Sequence, residues 1–318
     1  MTTATLPYTV IGGFLGAGKT TLLNHWLRHA GGQRLAVLVN DFGALNIDAA
    51  LIASTAADTI ALTNGCVCCQ IGDDLTRALM QVLDHAASFD AVVVEASGVS
   101  DPWRIAQMGR ADPGLRLDGV IVVVDAGNAL AQARDPLLAD TLERQVRAAD
   151  LVVINHCDDT ADGALPALRA WIASTAGAVP CVETSQARVP TALLSGAAMP
   201  RAARTEPACA EVHDHDHQAH GHGHDGSVDH GSVFETWSCR PDRSFDPDTL
   251  RAWLREPPAG VLRLKGVLRT GAAAWSELQF AGRRGSLRDA TAPGDGAAIV
   301  AIGLAGQLPR EALQRAFG

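Results

Sequence analysis

Gly13-Phe14-Leu15-Gly16-Ala17-Gly18-Lys19-Thr20 is the stretch from which the fold of this sequence can be read. Its glycines, Lys19 and Thr20 have the full spacing of a phosphate-binding loop. Backbone N–H groups can wrap a phosphate only where side chains do not intrude, hence Gly13, Gly16 and Gly18. Lys19 supplies a point charge to the β- and γ-phosphates, and the Thr20 hydroxyl is placed to ligate Mg²⁺. Ala17 and Thr21 complete the run of candidate nucleotide-binding residues. The helix that follows points its positive end at the anion.

The flanks agree with this reading. Thr9-Val10-Ile11 is a buried-strand run entering the loop, and Thr20 to His29 reads as a helix with Leu22, Leu23, Trp26 and Leu27 on one face. Further strand runs are Leu35 to Val39, Thr59 to Leu62, Ala91 to Val94, Val120 to Val124 and Leu151 to Ile154. Asp73 to Ala87 has helical spacing of Leu75, Leu79, Val82 and Leu83. Continuous apolar runs suit strands covered on both faces, and their alternation with helices predicts an α/β, doubly wound, mostly parallel sheet of the P-loop NTPase kind. This domain is expected to span 1–195. A tract of His, Asp and Gly follows within 196–232, which cannot bury surface and reads as a disordered linker. From 233 to 318 a smaller α+β domain is expected, with strands at 233–239, 261–270, 274–281 and 297–303. Its helices fall at Asp246 to Glu256 and Pro309 to Phe317, and Trp237, Trp253 and Trp275 are expected in its core.

The chain has 318 residues and a formal net charge of −9, which argues against a general affinity for nucleic-acid backbones. Nothing at the N-terminus reads as a secretory signal, and no apolar run approaches the roughly 20 residues that span a bilayer. A cytoplasmic location is therefore expected, where thiols stay reduced. The seven cysteines, three of them clustered, fit metal binding better than a disulfide framework.

Two acidic residues are candidates for the chemistry. Glu95, closing the strand Ala91 to Val94, can hold Mg²⁺ or orient the attacking water, and Gly98 leaves room for its N–H to meet a γ-phosphate. Asp41, after the second strand, is the second acidic candidate, whereas Asp125 more simply caps the turn after its strand. Asn155-His156-Cys157-Asp158 ends another strand. Asn155 and Asp158 have the spacing of a guanine-reading Asn-Lys-x-Asp, in which the carboxylate accepts from both N1–H and the exocyclic amine. His156 stands at the Lys position. GTP is thus expected over ATP.

Cys66, Cys68 and Cys69 form a second centre, in Asn64-Gly65-Cys66-Val67-Cys68-Cys69. Three thiolates in a tight turn suit Zn²⁺ and leave its fourth position open, while Cu(I) and Co²⁺ share the preference for soft ligands. A redox role is the rival reading. Cys157, Cys181, Cys209 and Cys239 are isolated and read as packing or incidental thiols. His213, His215, His217, His220, His222 and His224, with His230, crowd the linker and form a weak, multivalent metal collector or a hydrophilic spacer.

With these pieces in view the chain resembles the CobW-type metallochaperone GTPases. The matching segments are Gly13 to Thr21, Asn40-Asp41-Phe42-Gly43, the Cys66-x-Cys68-Cys69 turn, Glu95-Ala96-Ser97-Gly98 and Asn155 to Asp158. In the last domain they are Trp237 to Pro241 and Gly260 to Arg269. The resemblance implies a slow GTPase that moves zinc, or in some members cobalt, to client metalloproteins. Asp41 stands where Glu is frequent, and His156 where Lys is usual. The expected function is GTP-dependent zinc transfer from the Cys turn, with GTP, Mg²⁺ and Zn²⁺ (or Co²⁺) bound and oligomerisation left open. The competing readings are a passive zinc buffer, a small-molecule kinase and a cobalt- or nickel-insertion GTPase.

Overall fold

A computed structural model describes residues 5–39, 71–160, 163–196 and 234–318. The expected strand at Thr59 to Leu62, Asp41, the three clustered cysteines and the His tract lie outside the described residues. The chain divides into two compact units, Met1–Ala198 and Met199–Gly318.

In the first unit, strand β1 (Leu6–Gly13) runs into helix α1 (Lys19–Arg28), then β2 (Leu35–Val39). The chain continues through α2 (Ile71–Asp84), β3 (Ala91–Glu95), α3 (Pro102–Ala111) and β4 (Leu115–Asp125). It then forms α4 (Ala129–Gln132), α5 (Ala139–Ala148), β5 (Leu151–Asn155), α6 (Ala164–Ala176), β6 (Cys181–Glu183) and α7 (Thr191–Leu194). The six strands pair in parallel in the order β2-β3-β1-β4-β5-β6. Val10, Val92 to Val94, Val122 and Val152 are fully buried, as expected for a sheet covered on both faces.

The strand order reverses about β1: β2 and β3 lie on one side, and β4, β5 and β6 on the other. Ligands of open α/β sheets bind beyond the strand carboxyl ends at such a reversal. The glycine loop leaves β1 at that point.

Three departures from the sequence reading have local causes. β4 begins at Leu115 rather than Val120. Its first half, Leu115-Arg116-Leu117-Asp118-Gly119, is interrupted by polar residues and passes through a register shift opposite Tyr8 and Thr9. There the buried Asp118 accepts hydrogen bonds from the Ser195 hydroxyl at 2.9 Å and the Gly196 N–H at 2.6 Å. The three-residue β6 is too short to leave a pattern. Helix α3, unremarked in the sequence, has a strong start: Asp101 accepts from the Trp103 N–H at 2.9 Å and Pro102 occupies the first turn.

The second unit carries β7 (Phe234–Cys239), α8 (Pro247–Arg255), β8 (Arg263–Arg269), β9 (Trp275–Ala281), β10 (Arg284–Ala290), β11 (Ala298–Leu304) and α9 (Arg310–Phe317). The sheet is antiparallel, in the order β10-β9-β8-β11-β7. Asp246 caps α8 through the Thr249 N–H at 2.8 Å. Strand β10, Arg-Gly-Ser-Leu-Arg-Asp-Ala, is a polar edge that no apolar run announces. Pro309 stands at the N-cap of α9, one residue before the helix where the sequence reading placed it. Trp237 is buried, and Trp253 packs edge-on against Phe317 with centroids 5.0 Å apart. Trp275 is not in this core. It is partly exposed, because Ser276, Leu278 and Phe280 take the buried face of β9 and its own side chain falls on the other.

Candidate nucleotide site

The glycine loop has the backbone its composition requires. Gly13, Gly16 and Gly18 have φ of 135°, 75° and 101°, values that L side chains rarely adopt. A Cβ on Gly13 would collide with the Val123 carbonyl, and one on Gly18 with the Asn155 amide. At Gly16 nothing lies within 4 Å of that position, so the loop is open there. The Lys19 ammonium is buried and donates to the Phe14 carbonyl at 3.1 Å, inside the loop it serves. The Leu22 N–H reaches the Gly18 carbonyl at 2.9 Å, so α1 starts directly from the loop.

Parallel pairing of β3 with β1 brings the end of β3 beside the loop. The Thr20 hydroxyl donates to Glu95 Oε1 at 2.7 Å, and Glu95 is buried. Two hard oxygens at this separation fit Mg²⁺, which takes one or two protein oxygens and completes its shell with phosphates and water. Gly98, three residues on, packs under Leu15 of the loop: a Cβ there would stand 2.7 Å from Leu15 Cγ. The loop and the turn after β3 therefore share one wall. Thr21 is exposed and makes no described contact with these groups.

Beyond β4, the end of β5 supplies a second pocket. Asn155 is fully buried and bridges two segments. Its Nδ2 donates to the Ala17 carbonyl at 3.0 Å and its Oδ1 accepts from the Ala187 N–H at 2.8 Å. Asp158 is exposed, and a hydrogen bond from the Ser185 side chain holds its carboxyl below the usual range. Ser185, Gln186 and Ala187 form a turn in which Gln186 and Ala187 have φ of 56° and 52°, left-handed values that are strained for side-chain-bearing residues. The sequence reading did not single out this turn. The only available signal was a short polar run after the apolar Val182.

His156 is also left-handed, with φ 61°. Its Nδ1 lies 3.3 Å from Asp125 Oδ2, and its Nε2 is 3.9 Å from where a Cβ on Gly18 would stand. Asp125 caps the turn after β4, accepting from the Gly127 and Asn128 N–H groups at 2.9 and 3.1 Å and from the Asn128 amide at 3.0 Å. Burial opposes its ionisation, but these donors and His156 outweigh burial and hold the carboxyl below its ordinary value.

Glu95, Lys19, Thr20, Gly98, Asn155 and Asp158 thus gather along the carboxyl ends of β1, β3 and β5. Among the described residues, no group of three or more His, Cys, Asp and Glu side chains could hold a metal ion. Cys157 and Cys181 are partly buried, and burial raises both thiols, which disfavours thiolate chemistry at either.

Residues 7–183 match the family described as CobW/HypB/UreG, nucleotide-binding domain. Residues 234–318 match the cobalamin synthesis protein cobW C-terminal domain. Among curated proteins the chain is similar to zinc chaperone CobW of Pseudomonas aeruginosa, 34% identical over 228 residues, with 61% of this chain and 60% of that protein covered. It is 39% identical to zinc chaperone YjiA of Escherichia coli over 158 residues, covering 47% and 49%. To zinc-regulated GTPase metalloprotein activator 1 of Schizosaccharomyces pombe it is 32% identical over 197 residues, covering 58% and 47%. The matched regions span about half to three-fifths of these relatives' lengths. Among solved structures, Zn(II)-bound YjiA GTPase from E. coli aligns over 98% of both chains at 22% identity with a TM-score of 0.43.

Proposed function

This chain belongs to the CobW/HypB/UreG family through residues 7–183 and carries a CobW C-terminal domain at 234–318, and from that premise we propose a GTP-hydrolysing zinc chaperone. The observation that carries the nucleotide assignment is the Asn155 bridge. One buried amide joins Ala17 of the phosphate loop to the Ser185–Ala187 turn, beside the exposed Asp158 carboxylate. A carboxylate at that place accepts from the two N–H donors on one edge of guanine, and adenine offers no such pair. The names of the relatives, zinc chaperones and a zinc-regulated GTPase, support zinc as the cargo.

In this reading Lys19 and the loop N–H groups hold the β- and γ-phosphates. Thr20 and Glu95 are the residues that would hold Mg²⁺. The chemistry such an ion would supply there is neutralisation of the charge on the phosphates. Glu95 and Asp41 are the acidic candidates for ordering the attacking water, and Gly98 offers its N–H to the terminal phosphate. Cys66, Cys68 and Cys69 bind the zinc to be delivered, with His213, His215, His217, His220, His222 and His224 as weak auxiliary ligands. Slow hydrolysis removes the γ-phosphate contacts, loosens the thiolates and passes zinc to a client metalloprotein.

Such coupling is reciprocal: GTP must tighten zinc binding by the factor by which zinc tightens GTP binding. Competition with a chromophoric chelator, run with a non-hydrolysable GTP analogue, with GDP and with neither, measures that factor. Zinc affinity that ignores the nucleotide rules the mechanism out. Cys68→Ser is expected to weaken zinc binding while leaving GDP affinity intact.

A further inference from the structure

Helix α5 presents Leu142 and Val146 to the apolar core, and between them Gln145 is 1% exposed. A buried amide is unfavourable there unless its polar atoms are used. Its Nε2 donates twice, to the Gly98 carbonyl at 2.9 Å and the Ser100 carbonyl at 3.1 Å. Its Oε1 has no hydrogen-bond partner among the described residues. The donor half of the amide is thus fully engaged, and the acceptor half contributes nothing visible. A Leu or Met would fill the same space without burying that oxygen, so the side chain is explained by what its two donors hold.

What they hold is the turn after Glu95. The Ser100 N–H closes on the Ser97 carbonyl at 3.0 Å, and the Ala96 N–H pairs with Ile11 of β1 at 2.8 Å. Gly98 sits between two walls, Leu15 of the phosphate loop on one side and Gln145 on the other. In a trans peptide the N–H of Val99 points opposite to the Gly98 carbonyl. Fixing that carbonyl on α5 therefore fixes the peptide plane on the side facing away from the helix. Holding the Gly98 and Ser100 carbonyls restrains the backbone on the C-terminal side of Gly98, and with it the Gly98 N–H that the reading above offers to the terminal phosphate, a group that a diphosphate lacks.

We infer that Gln145 is a positioning residue that lets the site distinguish a nucleoside triphosphate from a diphosphate, acting through the Gly98–Ser100 turn without touching the nucleotide. The inference rests on the guanine-nucleotide reading above.

The test is Gln145→Met in the full chain, which keeps the side-chain volume and removes both donors. Affinities are measured for GDP and for a non-hydrolysable GTP analogue, together with kcat and KM for GTP. Loss of two buried donors predicts about a tenfold weaker analogue affinity and a similar fall in kcat. GDP affinity stays within about twofold, because the Gln145 donors hold the turn that meets the terminal phosphate and not the loop N–H groups assigned to the β-phosphate. Equal loss for both nucleotides, or no loss for either, overturns the inference. Wild type that binds no guanine nucleotide overturns the proposed function, and this inference with it. Wild type that discriminates the two nucleotides while the variant discriminates them equally well overturns the inference alone. Should the variant fail to fold, amide hydrogen exchange in wild type gives the answer: residues 97–100 are expected to exchange more slowly with the GTP analogue than with GDP, and identical exchange refutes the role.

Discussion

Replacing Asn155 by Ala tests the central joint of the site. The substitution removes two hydrogen bonds, at 3.0 Å to the Ala17 carbonyl and at 2.8 Å from the Ala187 N–H. Ala17 and Ala187 are both buried, so neither backbone group gains water at no cost. An unsatisfied buried group costs about 1–3 kcal/mol. The vacated amide leaves room for a water to repair part of the loss, so the lower half of that range applies to each group, about 2–4 kcal/mol together. In a unit of this size each kcal/mol moves the unfolding midpoint by about 2–4 °C, which gives a fall of roughly 4–16 °C. Thermal unfolding by circular dichroism measures it, first without nucleotide and then with saturating GDP. The drop is expected without nucleotide, because the bridge exists in the protein itself. GDP affinity is expected to fall as well, since Ala17 belongs to the phosphate loop. A nucleotide-free midpoint within 1–2 °C of wild type, a shift of less than about 1 kcal/mol, would show that the bridge stabilises nothing and that Asn155 acts only on the base.

Three further outcomes follow from the same geometry. Thr20→Ala removes the hydroxyl that donates to Glu95 and is expected to abolish the gain in GTP-analogue affinity on adding Mg²⁺. Thr20→Ser should keep that gain, and a Thr20→Ala variant that still responds to Mg²⁺ argues against the assigned ligand pair. Asp158→Asn leaves the unfolding midpoint unchanged, because Asp158 is exposed. It exchanges guanine for xanthine preference, since an amide can donate to the carbonyl that replaces the exocyclic amine; competition between GDP and XDP reads this out. Asp125 bears on acid stability. Its folded pKa lies below the ordinary 3.8, with hydrogen bonds outweighing burial. The ionised form is therefore stabilising above about pH 4, and that stability is lost as pH falls through the folded value. Asp125→Asn should be less stable at neutral pH and flatten the loss below pH 4 in urea titrations, and an unchanged acid limb would contradict this.

The phosphate loop was legible because its chemistry fixes both residue type and spacing. Glu95 and Asn155 were legible for a different reason: each is the first polar residue after a run of Val and Ile, and a parallel sheet places such residues side by side. Asp125 was legible as a turn cap by the same logic. Gln145 was not. One Gln on an amphipathic helix looks like any solvated residue until the fold shows which face is buried. The Ser185–Ala187 turn was hidden because its left-handed residues are not glycines and its strand is only three residues long. Strand β10 was hidden because a polar strand carries no hydrophobic period, the first half of β4 because Arg116, Asp118 and Gly119 break its apolar run, and the outward Trp275 because large aromatic residues suggest burial whichever face they occupy.

Two buried amides divide the work at this site, and the division can be tested by pairing substitutions. Asn155 acts on the phosphate loop at Ala17, and Gln145 acts on the turn whose Gly98 packs under Leu15 of the same loop. Their effects therefore meet in one short stretch of backbone. Asp158 is exposed and is held by the Ser185 side chain, with no hydrogen bond of its own to the phosphate loop among the described residues. Residues that share a structural element show non-additive effects, whereas independent ones add. In GTP-analogue affinity, Asn155→Ala with Gln145→Met should depart from the product of the single effects by about threefold or more, while Asp158→Asn with Gln145→Met should match its product within about twofold. The two cycles control for each other, because they share Gln145→Met and differ only in the partner. If both pairs are additive, the loop does not transmit between base pocket and γ-phosphate turn. If both are coupled, Asp158 is not independent of that turn, and the Ser185–Ala187 turn and the Asn155 bridge carry its effect as well.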